Sequence, residues 1–198
     1  MDEYPKVVAL KNNSRVTLRL MVKEDLDALI TFYRSIPAAS RQFLRMDVTN
    51  RKAVERRYEN LNYVNVYPIL AVDENKIIGV ATMFRAETGW KRNLGEVRVL
   101  IHPDFRRIGL GTIFVRELFF YALRSKIFKI EAEMVEAQES AIAAFERFGF
   151  RKEAMLRKHI TDINGKRENL IVMTLDVEDY WYLIENHVEN FDVRIQPH

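Results

Sequence analysis

The sequence contains no cysteine, which excludes a disulfide framework, a cluster of thiolate metal ligands and a thiol nucleophile. It also has no apolar run of the length that crosses a bilayer, and its first residues lack the apolar core of a signal peptide. With only 7 glycines and 5 prolines in 198 residues, no flexible linker divides the chain. These absences predict one globular domain that resides in the cytoplasm and does not associate with a membrane.

Charge of one sign is also scarce. The 31 basic and 28 acidic residues are interspersed along the chain and give a formal net charge of +3. A nucleic-acid-binding domain typically collects lysine and arginine on one face, whereas the basic clusters here are short. Hydrophobic residues make up 48% of the chain and charged residues 30%, which is the balance of a protein with a buried core. We therefore expect no nucleic-acid partner.

The hydrophobic pattern predicts a single α/β domain. Alternating apolar residues predict strands, and apolar spacings of three and four residues predict helices. Hairpins give antiparallel neighbours and a strand–helix–strand crossover gives a parallel one, so we expect a mixed central sheet of about six or seven strands flanked by helices. In chain order the predicted elements are a strand at 16–20, helices from 23 and from about 50, strands at 67–72, 77–84 and 94–101, a helix at 110–124, a strand at 127–135, a helix at 140–148, two strands around the Asn164-Gly165 turn and a tail helix from 178.

One strand leads through an arginine-rich turn directly into a mostly buried helix. The first N–H groups of a helix have no intrahelical partner, and together with the helix dipole they favour an anion such as phosphate. Gly109 and Gly111 allow the main chain to approach an anion closely, while Arg106 and Arg107 add positive charge. The segment therefore predicts a phosphate site.

The same two glycines are also compatible with a tight strand-to-helix turn that binds nothing. Their spacing does not match the phosphate loop of nucleotide hydrolases, G-x-x-x-x-G-K-[ST]. It does not match the dinucleotide fingerprint G-x-G-x-x-G either, because Phe114 occupies the position of the third glycine. Nucleotide hydrolysis is therefore not predicted.

The segment Arg106-Arg107-Ile108-Gly109-Leu110-Gly111 resembles the [QR]-x-x-G-x-[GA] pyrophosphate loop of the GNAT superfamily of N-acetyltransferases. Downstream, the segment from Gln138 to Phe150 is similar to the family's N-x-x-A-x-x-[LF]-Y-x-x-x-G-F helix. The two motifs occur in the family's order, with a predicted strand between them. The resemblance covers residues 16–176, which implies an N-acetyltransferase domain there and a tail helix at 177–198.

The resemblance implies acetyl-CoA as co-substrate, bound without a metal. In the family, the strand before the loop separates from its neighbour and opens a cleft for pantetheine. This implies that the strand end binds the pantetheine and thioester, chiefly through the backbone of Val99 and Ile101, and that Gln138 and Phe145 contact the coenzyme from the second motif. The complete set of implied coenzyme-binding residues is Val99, Leu100, Ile101, Arg106, Arg107, Ile108, Gly109, Leu110, Gly111, Thr112, Gln138 and Phe145.

Glu96 is the candidate general base. An alkyl ammonium has a pKa of about 10.4, so an acceptor amine must lose a proton before it attacks the thioester. Protein-lysine acetyltransferases of the superfamily carry a glutamate at the same distance before the loop. The alternative is a structural carboxylate that pairs with Arg98 on the same strand face, where an arginine neighbour would make Glu96 a weaker base.

No general acid is evident. Phe145 stands where many superfamily members have the tyrosine that protonates the departing thiolate, and it has no proton to donate. Either the thiolate leaves unassisted or through water, or another tyrosine such as Tyr121 substitutes, although Tyr121 lies on an apolar helix face that favours core packing. His102 and His159 lack metal-ligand spacing, and no G-x-S-x-G motif is present, so neither a metal nor a covalent acyl-enzyme is expected.

Different segments of the sequence point to different acceptors. The stretch from Leu18 through Arg34-Ser35 to residues 40–43 resembles the opening of the domain in bacterial and archaeal protein-lysine acetyltransferases, and Glu96 favours a protein lysine. The end of the chain, with Asn164-Gly165, is also similar to branches that acetylate small-molecule amines or protein N-termini. A non-catalytic acyl-CoA-binding module remains the alternative from another class, because of Phe145. The tail helix packs either on its own sheet or on a second subunit of a homodimer.

Overall fold

The computed structural model describes residues 4–41, 44, 46–59 and 61–186. Two short 3-10 turns, at 23–25 and 103–105, precede the first helix and the arginine-rich loop. Within the described residues the strands are β1 (Lys6–Ala9), β2 (Arg15–Leu20), β3 (Val66–Asp73), β4 (Lys76–Arg85), β5 (Leu94–Ile101), β6 (Lys129–Val135), β7 (Arg151–Thr161) and β8 (Arg167–Asp176), and the helices are α1 (Leu26–Ser35), α2 (Ala38–Arg41), α3 (Arg51–Tyr58), α4 (Leu110–Arg124), α5 (Glu139–Phe148) and α6 (Val177–Asn186).

The strands form one sheet in the order β1-β2-β3-β4-β5-β6-β8-β7. Neighbouring strands are antiparallel except β5 and β6, which are parallel because α4 crosses over between them. The predicted α/β fold with a mixed sheet is confirmed. The sheet has eight strands rather than six or seven, because β1 is only 4 residues long and was not predicted.

Helices cover both faces of the sheet. On one face, α4 buries Phe114, Leu118 and Ala122 against β4 and β5. On the other face, α1 and α3 bury a second cluster against the strands β3 and β4. Asn50 caps α3 by accepting a hydrogen bond from the N–H of Ala53, which confirms the helix start predicted near residue 50. No described helix has the length and apolar character needed to cross a bilayer.

The tail helix α6 packs on the same domain. The Tyr180 ring lies 5.2 Å from the centre of Phe119 and 5.3 Å from that of Phe148. Gly149, which ends α5 with φ 108°, makes this contact possible, because a Cβ there would lie 2.6 Å from Tyr180. The described part of the tail thus uses its aromatic face within the domain. Residues 187–198 of the predicted tail lie outside the described residues.

Candidate functional site

Strands β5 and β6 separate halfway along their length. They are paired at Leu94 with Lys129, at Gly95 with Ile130 and at Glu96 with Glu131, and the ladder ends there. The remaining residues of β5, from Val97 onward, stay hydrogen-bonded to β4 on one side only. A wedge-shaped gap therefore opens between β5 and β6 toward the arginine-rich loop.

The backbone of Val99 and Ile101 faces this gap. The N–H of His102 donates to the carbonyl of Ile78 at 2.9 Å, so His102 faces β4. Backbone groups of successive strand residues point to opposite sides, so Leu100 also faces β4 while Val99 and Ile101 face away from it. The two residues expected to bind the pantetheine through their backbone are thus those whose polar groups line the opening, and Leu100 contributes its side chain.

A cleft of about 160 Å³ occupies the gap and continues over the α1–α3 face of the sheet. One wall is the free length of β5 and the other is the end of β6 with the start of α5. The third side is formed by α1, α3 and the chain before α3. The lining residues are Tyr33, Leu44, Met46, Val48, Arg57, Tyr58, Val80, Thr82, Phe84, Val97, Arg98, Val99, Leu100, Ala132, Glu133, Met134, Gln138, Ala141 and Phe145.

The arginine-rich loop lies where β5 ends and α4 begins. Arg107 has φ 64° and Gly109 has φ 92°, so the chain turns through two left-handed positions before the helix. Backbone N–H groups from Arg107 to Thr112 donate to no backbone carbonyl of the described residues, whereas that of Ile113 bonds to Gly109. This run of unused donors at the positive end of a helix of 15 residues is suited to a diphosphate.

Gly109 and Gly111 differ in whether the backbone of the loop requires a glycine. Gly109 needs its left-handed backbone, which an L-residue adopts only with strain. Gly111 has no positive φ, and a Cβ there would make only an ordinary contact of 3.5 Å with Ile101. The fold therefore tolerates a Cβ at Gly111, and the packing gives no reason for a glycine there.

Lys11 is a candidate coenzyme-binding residue that sequence reasoning missed. Its N–H donates to the carbonyl of Ile108 at 3.0 Å, which joins the β1–β2 hairpin to the loop. Its side-chain carbons lie 3.3 to 3.7 Å from where a Cβ of Gly109 would be. The exposed ammonium group is therefore carried to the edge of the phosphate site. No local motif marks this lysine, because the contact is between distant parts of the chain.

Glu96 occupies the point where β5 and β6 separate. Its Oε1 accepts a hydrogen bond from Nε of Arg98 at 2.6 Å, so the pairing weighed as the structural alternative is present. The residues that line the cleft begin at Val97, one position further along β5. Glu96 thus lies beside the cleft with a side chain about one-quarter exposed, at 27%.

Gln138 and Phe145 both line the cleft, as expected for the second motif. The Oε1 of Gln138 accepts from the N–H of Val135 at 2.9 Å, which fixes the side chain across the end of β6. This leaves the amide nitrogen as the donor for a ligand. The Phe145 ring packs edge-on against Phe150 at 4.9 Å and offers an apolar surface at the position of the expected tyrosine.

Tyr121 does not line the cleft. Its hydroxyl lies 3.0 Å from the carbonyl oxygen of Tyr63 and 2.9 Å from that of Val64, and its ring stacks on Tyr67 at 3.7 Å. These contacts agree with a packing role and oppose the alternative in which Tyr121 replaces the missing acid. His102 likewise acts locally, because its Nδ1 accepts from the N–H of Asp104 at 3.3 Å.

The end of the cleft away from the loop contains polar side chains that sequence reasoning did not connect. The hydroxyls of Tyr33 and Tyr58 lie 3.2 Å apart. Burial, reinforced by Tyr58, raises the pKa of the Tyr33 phenol well above its usual value, so Tyr33 holds its proton tightly. Arg57 and Arg98 both lie over the Phe84 ring. Gln42 and Phe43, part of the lysine-acetyltransferase-like segment, lie outside the described residues.

No group of three or more histidine, aspartate or glutamate side chains within the described ranges is arranged to hold a metal ion. His159 lies exposed on β7, away from the cleft.

Comparisons with known proteins agree with this geometry. The sequence profile of the acetyltransferase (GNAT) family matches residues 26–150. No curated protein sequence matches the chain significantly. Among solved structures, the GNAT domain of S. lividans PAT has a TM-score of 0.75 with 16% identity, over 89% of this chain and 98% of that chain. A ribosomal-protein-alanine N-acetyltransferase from Brucella melitensis has a TM-score of 0.70 with 21% identity, over 80% and 98%.

A spermidine N-acetyltransferase chimera from Vibrio cholerae is similar at a TM-score of 0.70 and 19% identity, over 85% of this chain and 99% of that chain. At such identities these likenesses concern the fold. The family profile spans more than half of the chain, and the chain therefore belongs to the acetyltransferase (GNAT) family. The resemblance of its two motifs is confirmed, and the co-substrate of this family is acetyl-CoA.

Proposed function

We propose that this protein transfers an acetyl group from acetyl-CoA to a primary amine by direct attack, without an acyl-enzyme. The observation that carries the proposal is the gap between β5 and β6, which opens at its wide end onto the unused N–H groups of the loop. The gap offers a path for an extended pantetheine arm, and the loop offers donors for its diphosphate. Buried backbone polar groups normally find partners, and beyond Glu96 the β5 edge has none from β6, so an extended ligand can supply them.

In the proposed complex the diphosphate accepts hydrogen bonds from the N–H groups between Arg107 and Thr112. Lys11 and Arg106 contribute positive charge at the rim. The pantetheine lies against the backbone of Val99 and Ile101, with Gln138 donating from the opposite wall. This arrangement directs the thioester toward the part of the cleft lined by Phe145 and the α1–α3 face.

The amine nitrogen attacks the thioester carbonyl carbon, the carbon–sulfur bond breaks, and the amide and the CoA thiolate are formed. We assign the proton acceptor to Glu96, acting through water because the cleft begins one residue beyond it. Its pairing with Arg98 orients the carboxylate. The thiolate leaves unassisted or takes a proton from water, because Phe145 has no proton and the Tyr121 hydroxyl is engaged by backbone carbonyls.

Different observations favour different classes of acceptor. A protein lysine is favoured by the position of Glu96, while the similar structures include enzymes named for ribosomal-protein alanine and for spermidine. The candidate from another class is a module that binds acyl-CoA without turnover, which is favoured by Phe145 at the acid position.

Release of free thiol from acetyl-CoA in the presence of a mixed amine panel tests the proposal. We expect release that depends on both enzyme and amine, and a large reduction in the Glu96→Gln variant. Tight binding of acetyl-CoA with no thiol release from any acceptor would favour the binding module instead. Absence of acetyl-CoA binding would contradict both.

A further inference from the structure

The acceptor end of the cleft contains a guanidinium that the proposed mechanism does not use. Arg57 lies in the last turn of α3, is half-buried and lines the cleft. Its Nε donates to Sδ of Met46 at 3.0 Å, and its Cζ lies 4.8 Å from the centre of the Phe84 ring. A thioether is a weak acceptor and an aromatic face only partly balances a cation. The charge of Arg57 is therefore poorly compensated within the protein.

The described charged groups around Arg57 do not form an ion pair with it. Arg98 lies over the same Phe84 ring at 4.8 Å, but its charge is paired with Glu96 at 2.6 Å. No carboxylate in the described part of the chain forms an ion pair with Arg57. Burial, followed by repulsion from Arg98, holds the pKa of the Arg57 guanidinium below its usual value, although arginine stays protonated near neutrality. Weaker attractions to Tyr58, Tyr33 and Glu96 offset this lowering of the pKa only in part.

A half-buried guanidinium without a counter-ion is unfavourable, and a ligand carboxylate relieves it by forming two parallel hydrogen bonds. The cleft also has negative charge in a different place, because Glu133 lines the β6 wall, while the charge of Glu96 at the apex of the gap is shared with Arg98. Positive charge on the α3 side and negative charge on the sheet side suit a ligand that carries both an ammonium and a carboxylate.

We infer that the acceptor is an amine whose own molecule carries a carboxylate, and that Arg57 binds this carboxylate while the amine faces the thioester. The inference rests on the proposed function, since it names the acceptor class of the same cleft. A free amino acid and a peptide with an acidic group next to its amine supply the same chemistry, and different arms of the test separate them.

The test compares acceptors with and without the carboxylate, and each rate is corrected for the fraction of unprotonated amine. One set is an amino acid, its amide and its decarboxylated amine, for example alanine, alaninamide and ethylamine, extended to a panel of amino acids. The other set is a lysine peptide with glutamate or glutamine next to the lysine. Thiol release from acetyl-CoA is measured for each, and we expect kcat/KM to be roughly 10- to 100-fold higher for the carboxylate member of the productive set.

Three variants identify the residue responsible. Arg57→Met keeps an unbranched stem on the Phe84 ring but removes the charge, and Arg57→Lys keeps the charge but removes the planar fork. The matched control is Arg56→Met, because Arg56 is the exposed neighbour on the same helix. We expect Arg57→Met to lower kcat/KM for the carboxylate acceptor to the level of the amide, Arg57→Lys to be intermediate, and Arg56→Met to have no effect.

Equal rates for acids and amides, or an equal loss for all acceptors in Arg57→Met, would overturn the inference while leaving the acetyltransferase proposal intact. If no acceptor gives thiol release, calorimetric titration of the CoA-saturated protein with the same acids and amides decides. Binding of acids that is lost in Arg57→Met supports the carboxylate site even though the proposed reaction has failed. If the heats of binding are the same for acids and amides, the proposed carboxylate site at Arg57 is overturned as well.

Discussion

The two ends of the cleft are built in different ways. The coenzyme end, as proposed, consists mainly of main chain: the free edge of β5 and, beyond the residues that line the cleft itself, the N–H groups between Arg107 and Thr112. The acceptor end consists of side chains from separate elements, including Tyr33 on α1, Arg57 on α3 and Arg98 on β5. Main-chain groups can bind a ligand wherever the backbone follows the right course and no side chain blocks it. Binding by side chains instead requires particular residues from separate elements to lie close together.

This difference predicts that the two ends can be altered independently. Variants at the coenzyme end should change the KM for acetyl-CoA whatever the acceptor is. Variants at the acceptor end should change kcat or the acceptor KM and leave the KM for acetyl-CoA unchanged. A variant that changes the KM for acetyl-CoA and the acceptor constants equally would show that the two ends are not independent.

The largest effect is expected at Glu96, at the apex of the gap. If Glu96 is the general base, as proposed, replacing it should lower kcat by about 100-fold or more, because a positioned base contributes that much to proton transfer. The KM for acetyl-CoA should not change in Glu96→Gln, since the side chain does not contact the loop. Steady-state kinetics with acetyl-CoA and acceptor varied separately measure both quantities.

The matched control for this variant is Glu131→Gln. Glu131 pairs with Glu96 in the β5–β6 ladder and has the same side chain at the same level, but it belongs to β6. We expect its kcat to stay within a few-fold of wild type. Equal losses in the two variants would indicate a general effect of the acidic charge rather than a base at Glu96.

A smaller effect is expected at Lys11, and only at the coenzyme end. Lys11→Met should raise the KM for acetyl-CoA by roughly 3- to 10-fold at low salt, because an exposed ammonium near a phosphate contributes modestly and is screened by ions. The acceptor KM should be unchanged. At high salt, the KM of the variant for acetyl-CoA should approach that of the wild type.

Lys126→Met provides the comparison for Lys11, because Lys126 is an exposed lysine just beyond the opposite end of α4. It should leave the KM for acetyl-CoA unaltered at any salt concentration. If both lysine variants weaken acetyl-CoA equally, the effect comes from overall charge and Lys11 has no specific position in the site.

The smallest effect on activity is expected at Tyr121, which belongs to neither end. Tyr121→Phe removes a hydroxyl that lies within hydrogen-bond distance of two loop carbonyls, so the free energy of unfolding should fall by about 1 kcal/mol. Urea unfolding measures this change, and kcat should stay near the wild-type value. A large fall in kcat at full stability would restore Tyr121 as the missing proton donor.

The contrast between the two ends also explains what could be predicted from the sequence. The loop from Arg106 to Gly111 and the Asn164-Gly165 hairpin are local signals, because residues adjacent in sequence determine the backbone path. The order of elements follows from hydrophobic periodicity in the same way. These local features predict the fold, which is confirmed, and a coenzyme site, which stays a prediction.

What could not be predicted depends on long-range contacts. Strand β1 is too short for its alternation to be distinctive, and it becomes a strand by pairing with β2. Lys11 reaches the loop only because that hairpin carries it there. Arg57 and Arg98 meet over Phe84 although no pattern links the three positions in the sequence. Side chains from distant elements form the acceptor end. Its specificity can therefore be inferred only from the folded structure.

The central claim is that bare main chain at the start of α4 binds the diphosphate of coenzyme A, and Gly111 tests it most directly. A Cβ at Gly111 meets only an ordinary contact with Ile101, so alanine there adds a methyl group to the first turn of the helix without straining the fold. Calorimetric titration with CoA should show about tenfold weaker binding in Gly111→Ala, with no parallel fall in thermal stability, and weaker binding still in Gly111→Val. Unchanged CoA affinity in both variants would contradict the account.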